Sequence, residues 1–220
     1  MAIIKADAYG HGIVRVAKTL RDADAFGVAC LEEAEQLRIA SITTPIILLE
    51  GPYKPNDLSL IIKLNLEVVI HNEYQLELLE KSKIDGPIKV WLKIDTGMHR
   101  LGFSVDKTEE MLRRLMSCRN INSTPILMSH LATANEKNHA LTYQQLDTFR
   151  EISKIVNIEK TIANSAAVIN FPDVHFDWVR PGLMLYGVSP LINSCGHDHG
   201  LKSVMTLESD SSVMTDFNPW

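Results

Sequence analysis

The stretch AIIKADAYGHG, residues 2–12, sets a short apolar run, a lysine, two glycines and a histidine ahead of a helical pattern. Ala2-Ile3-Ile4 reads as a buried strand that Lys5 closes, and beyond Gly12 the apolar positions Ile13, Val16, Ala17 and Leu20 recur at helical spacing. The same strand, turn and helix step then repeats along the chain. Further strand-like runs lie at 25–30 (AFGVAC), 45–50 (PIILLE), 66–70 (LEVVI), 88–94 (IKVWLKI), 125–131 (PILMSHL), 160–165 (KTIANS) and 178–187 (WVRPGLMLYG). Between them, Asn72 is placed to cap a leucine-spaced helix ending near Lys83, and Asp106, Glu109 and Glu110 favour a helix start ahead of Met111. Leu141, Phe149 and Ile152 mark another helix. Eight such steps in 220 residues predict an α/β chain folded as a closed (β/α)8 TIM-type barrel. The rival is an open doubly wound sheet, but no glycine-rich dinucleotide fingerprint follows the first strand.

A net charge of −5 argues against a nucleic-acid partner, which would want a basic stripe. The three cysteines, Cys30, Cys118 and Cys195, are widely spaced and odd in number, which points to a reducing compartment. No run is long enough to span a bilayer, and no signal-peptide pattern follows Met1. The expectation is a cytoplasmic protein that engages neither nucleic acid nor membrane.

A barrel of this kind carries its chemistry at the C-terminal ends of its strands. Those ends hold Lys5, Cys30, Glu50, His71, Asp95 to Arg100, His130, Asn164-Ser165 and Arg180. An ammonium at the inner end of a buried strand is costly unless it is paired, neutralised or used covalently, and at a barrel mouth it invites a Schiff base. The bland alternative for Lys5 is a solvated lysine at a frayed strand end. Elsewhere, CGHDHG (195–200) gathers a cysteine, an aspartate and two histidines, but the spacing fits no standard zinc pattern; it reads as a solvated loop, and no metal site is expected. LEEAEQLR (31–38) reads as a solvated outer helix face.

Five segments, KADAYGHG (5–12), KIDTGMHRLG (93–102), SHLATANE (129–136), ANSAA (163–167) and VRPGLMLYGVSP (179–190), together and in this order resemble the pyridoxal-phosphate barrel of alanine racemases. The resemblance runs from Ala2 to about Glu208. It implies pyridoxal phosphate as cofactor, alanine as substrate and interconversion of L- and D-alanine, the supply of D-alanine for peptidoglycan. By that resemblance Lys5 would carry the cofactor covalently and serve as one proton-transfer base. Tyr9 would donate its hydroxyl to the cofactor phosphate, and Ser165 with the backbone N–H groups near Gly182 and Leu183 would complete that phosphate site. Arg180 would face the pyridine nitrogen; a guanidinium only donates, so that nitrogen must be an unprotonated acceptor, a weaker electron sink that suits quick reprotonation. Arg100 would meet the phenolic oxygen and the substrate carboxylate. His130 would brace Arg180, and Asn164 would be a supporting polar group of the cofactor site. Lys93 is a candidate for carbamylation, which would turn a cation beside Arg100 into an anion.

The family is homodimeric, and its second base is a tyrosine in an all-β domain of the partner subunit; no tyrosine here matches that motif. Against the family pattern the chain starts some thirty residues late and stops before the all-β domain. Residues 1–190 are read as the barrel, 191–208 as a loop and the start of the segment leading to that domain, and 209–220 (SDSSVMTDFNPW) as a tail that does not match. The expected consequences are cofactor binding with poor racemisation, doubtful dimerisation, and an apolar barrel seam left uncovered beside the first strand. Two alternatives stand beside this reading: a single-domain barrel that handles pyridoxal phosphate without racemase activity, and an inactive truncated gene product.

Overall fold

A computed structural model describes residues 1–121, 123–206 and 208; the tail expected at 209–220 lies outside the described residues. In chain order the elements are β1 (Ala2–Ile3), a left-handed helical turn α1 (Lys5–Gly10), α2 (Ile13–Thr19), β2 (Phe26–Val28), α3 (Leu31–Ile39), β3 (Ile46–Leu48), α4 (Pro55–Lys63), β4 (Leu66–Ile70), α5 (Glu73–Lys81) and β5 (Val90–Asp95). They continue as β6 (Phe103–Ser104), α6 (Thr108–Ser117), β7 (Ile126–Met128), α7 (Ala140–Ile155), β8 (Lys160–Asn164), α8 (Ser165–Asn170) and β9 (Trp178–Arg180). Every pairing is parallel, in the order β1-β2-β3-β4-β5-β7-β8-β9, with the short β6 hung on β5. Two hydrogen bonds join the last strand to the first: the Met1 nitrogen donates to Val179 O at 3.1 Å and Ile3 N to Pro181 O at 2.9 Å. The sheet is therefore a closed barrel of eight strands. Only β6 had no counterpart among the apolar runs.

Strand alternation builds two cores. Ile3, Ala25, Ile47, Val69, Trp91, Ile126 and Met128 point inward and fill the barrel, with Trp178 meeting Trp91 edge-on at 5.3 Å between ring centroids. The alternate residues, such as Val68, Ile70, Val90 and Leu92, pack outward against the helices. Asn72 caps α5 by accepting from Gln75 N at 3.0 Å. That helix ends at Lys81, two residues short of the expected Lys83, because Ser82 turns extended and its hydroxyl bonds back to Leu78 O. Asp106 lies in a 3-10 turn, Val105–Lys107, that leads into α6.

Two expectations need correction. The β9–β1 seam is not bare: Ala2 on the first strand and Ile4 just beyond it are 5% and 0% exposed. The open apolar surface lies beside it, in a groove between α2 and residues 185–205 where Val204 and Met205 are exposed. Nor is LEEAEQLR a purely solvated face. Arg38 donates to Leu64 O, Ile42 O, Thr44 O and Asn65 O at 2.6–3.0 Å, stapling the connections that enter β3 and β4. Among the described residues no helix is long and apolar enough to cross a membrane. CGHDHG forms an exposed 3-10 turn, Gly196–His199, closed by Cys195 N donating to Asp198.

Replacing Arg38 with methionine keeps the packing of the stem but orphans four carbonyls. The expected loss is about 1–3 kcal/mol, read as a lower urea midpoint with an unchanged slope.

Candidate active site

The inward-facing rows of the barrel continue upward into charge. Two residues beyond Ile3 comes Lys5, beyond Trp91 comes Lys93, beyond Met128 comes His130 and beyond Trp178 comes Arg180. Each step of two returns the chain to the same face, so an apolar floor residue is followed by a basic residue one storey higher. All four line a single cavity of about 440 Å³ at the C-terminal mouth. Arg100, Tyr9, Asn164, Ser165, Gly182 and Leu183 line it too. Every residue that the resemblance implicates thus lines one cavity, whereas Cys30, His71 and Asp95, also at strand ends, do not.

Arg180 is 5% exposed and fully engaged on one side. Its Nη1 donates to Thr161 Oγ1, and its Nη2 to Ser129 O and, at 3.4 Å, to His130 Nδ1. Among the described residues nothing in the protein accepts from its Nε–H, which is left for the cavity. Burial pulls this guanidinium down to about 9, so it is still protonated at neutral pH. His130 is pushed well below its ordinary value by burial and by the cations Arg180, Arg100, Lys93 and Lys5. A neutral imidazole whose Nδ1 accepts from Arg180 must carry its hydrogen on Nε2.

Lys93 is 8% exposed, and burial, then Arg180, Arg100 and Lys5, bring it down to about 8. Lys5, Lys93, Arg100 and Arg180 face one lining carboxylate, Glu50, which already accepts from the Tyr53 hydroxyl. Among the described residues none of the four basic groups forms a salt bridge. Arg100 is presented by a tight turn in which Asp95 Oδ1 accepts from the N–H groups of Gly97, Met98 and His99 at 2.9–3.0 Å. Gly102 closes that turn at φ +133°, where a Cβ would lie 2.6 Å from Asp95 N.

Lys5 and Tyr9 are held by unusual backbone. Ala6, Asp7, Ala8 and Tyr9 all have φ between +50° and +56°, a single turn of left-handed helix without a glycine inside it. Such residues cost roughly 1–2 kcal/mol each, so other contacts must hold them. Glu33 accepts from Ala6 N and Asp7 N, while Asp7 Oδ1 accepts from Ile13 N at 2.8 Å. Tyr9 then packs against Tyr186 in a tilted pair, 4.8 Å between centroids, and burial raises its pKa, keeping the hydroxyl a donor. That hydroxyl sits over Gly182, where a Cβ would come within 2.5 Å of it. Ser165 Oγ accepts from Gly182 N at 2.8 Å and from Met184 N at 3.4 Å. Asn164 caps α8 through Ala167 N and donates to Leu131 O.

Thr161, the Ser129 carbonyl and Glu33 support this site and were not anticipated. A buried hydroxyl in a strand must find a partner, so Thr161 was recoverable in principle. Glu33 was masked by the charge-rich helix that carries it.

The uncompensated charge has a cost. With a folded pKa near 8 against 10.5 unfolded, protonated Lys93 opposes folding at pH 7, and the penalty fades as pH rises from 8 past 10.5. Lys93→Met is expected to stabilise the ligand-free chain at pH 7 by about 1–3 kcal/mol, several degrees in Tm, with the gap closing by pH 10. Thermal melts across that range check both the sign and the trend.

The family model for "Alanine racemase, N-terminal domain" matches residues 1–190. The alanine racemase of Shewanella loihica is 42% identical over 98% of this chain and 60% of its own length. The biosynthetic alanine racemase of Escherichia coli K12 is 46% identical over 95% of this chain and 58% of its own. The crystal structure of biosynthetic alanine racemase from Pseudomonas aeruginosa superposes with a TM-score of 0.88 at 43% identity, over 92% of this chain and 57% of that one. The chain therefore spans no more than about 60% of these relatives. With most of its length matched by that model and its barrel by that structure, it belongs to the alanine racemase N-terminal domain family.

Proposed function

We propose that this chain is the cofactor-binding barrel of an alanine racemase, holding pyridoxal phosphate through Lys5. The observation that carries this reading is the cavity itself: four basic side chains, without salt bridges among the described residues, surround a space suited to a compact, multiply anionic molecule. The donors present fit such a group. Tyr9, Ser165 and the backbone at Gly182 and Leu183 would hold its phosphate, Gly182 leaving room that any Cβ would fill. Arg180 would hold the ring nitrogen with its free Nε–H, and Arg100 the phenolic oxygen and the substrate carboxylate. Bound there, pyridoxal phosphate would supply an electron sink for the charge left behind when the substrate loses its α-hydrogen.

The chain's own residues do the rest. Lys5 is the base on one face of the substrate carbon. Neutral His130 fixes Arg180 without adding a further positive charge. Lys93, with an amine near half-neutral at pH 8, is suited to take up carbon dioxide, losing a proton as the N–C bond forms and giving Arg100 an anionic neighbour. Of the five tyrosines only Tyr9 lines the cavity, and its hydroxyl is the one that would donate to the phosphate, so this reading assigns the second base to a group outside the described residues. Alanine as substrate and poor racemisation by this chain alone belong to this proposal.

Incubation with pyridoxal phosphate followed by borohydride reduction should leave a mass increment on the peptide containing Lys5, absent in Lys5→Ala. In deuterated water, α-hydrogen exchange on alanine should outrun racemisation by roughly 10²-fold or more, the deficit expected when one general acid or base is missing. Attachment to another lysine, or none, overturns the reading; racemisation keeping pace with exchange places both bases inside this chain.

A further inference from the structure

We propose that Glu33 is a positioning residue for the cofactor site, acting by occupying the left-handed turn that carries Lys5 and Tyr9. The proposal rests on the functional reading above and goes beyond it, since Glu33 does not line the cavity. Four consecutive non-glycine residues at positive φ are not a conformation the chain keeps without help. The first N–H groups of the turn, on Ala6 and Asp7, converge, as a small nest for an anion, on a group that does not line the cavity. The anion it holds is part of the protein. Glu33 Oε1 accepts from Ala6 N at 2.5 Å and Asp7 N at 3.3 Å, while Oε2 accepts from Ala29 N at 2.8 Å.

Each end of this bridge is anchored. Ala29 directly follows β2, a barrel strand paired with β1, and Glu33 itself stands in the first turn of α3. One carboxylate thus ties the loop above β2 to the loop above β1. The geometry of the turn explains why this matters to chemistry. A left-handed helix is the mirror of the common one, so residues four apart share a face, and Lys5 and Tyr9 both reach the cavity. Were Ala6 to Tyr9 to relax to negative φ, the amine and the hydroxyl would no longer point the same way. Asp7 secures the far end through Ile13 N, and Ala8 N donates back to Ile4 O at 2.9 Å. Among the described residues, what holds the first two N–H groups of the turn, on Ala6 and Asp7, is Glu33.

The test compares wild type, Glu33→Ala and Glu33→Gln as full chains, with two readouts. Amide hydrogen exchange of the peptide spanning residues 4–12, without cofactor, should speed up at least tenfold in Glu33→Ala while peptides from β4, β5 and α7 keep their wild-type rates. The rate of borohydride-trapped attachment of pyridoxal phosphate at Lys5 should fall at least tenfold in the same variant. Glu33→Gln, which keeps the shape and one oxygen acceptor, should recover part of both, and it carries the test if the alanine variant does not fold. Unchanged exchange over residues 4–12, or attachment at the wild-type rate in Glu33→Ala, overturns the proposal. If wild type takes no cofactor, the functional reading fails, and the exchange data alone decide whether Glu33 holds the turn.

Discussion

Side chains on a strand alternate between faces, and inside a closed barrel an inward-facing residue has nowhere else to go. That constraint organises this molecule. Ile3, Trp91, Met128 and Trp178 occupy the floor, so Lys5, Lys93, His130 and Arg180, two residues further on, stand over it around the mouth. The arrangement needs closure as well as alternation. The bonds from Met1 and Ile3 to Val179 and Pro181 set the first strand beside the last, and with it the lysine beside the arginine that is 175 residues away in sequence.

A ring of cations over an apolar plug is a poor way to stabilise a fold. Burial and mutual repulsion act together on Lys93 and His130, and the protein answers by leaving the histidine neutral and by giving Arg180 hydroxyl and carbonyl acceptors rather than a carboxylate. A carboxylate there would cancel the field that an anionic ligand requires. The left-handed turn is a second local cost at the same mouth. Strain and uncompensated charge both concentrate where a ligand would sit, while the floor and the outer core are conventionally packed.

Much of this was legible in the sequence because it depends on short-range periodicity. Eight apolar runs gave eight barrel strands, and the strand ends gave Lys5, Glu50, Arg100, His130, Asn164, Ser165 and Arg180, since a barrel converts strand register directly into position. Tyr9, Lys93, Gly182 and Leu183 came only through the resemblance, and Cys30 and His71 fall outside the cavity. The misses are equally physical. β6 is two residues long, too short to show a period. Glu33 and Arg38 lie in a run whose composition says solvent, yet each reaches backbone groups 26 to 27 residues away. Composition reports how polar a helix is and not what its polar groups find across a fold.

A crystal structure of the chain grown with pyridoxal phosphate tests the central claim most directly. The account predicts density continuous from Lys5 Nζ into the cofactor, the Arg180 Nε–H at the ring nitrogen, and the phosphate between Tyr9, Ser165 and Gly182. Cofactor joined to any other lysine, or a ring turned with its phosphate toward Arg180, would contradict it.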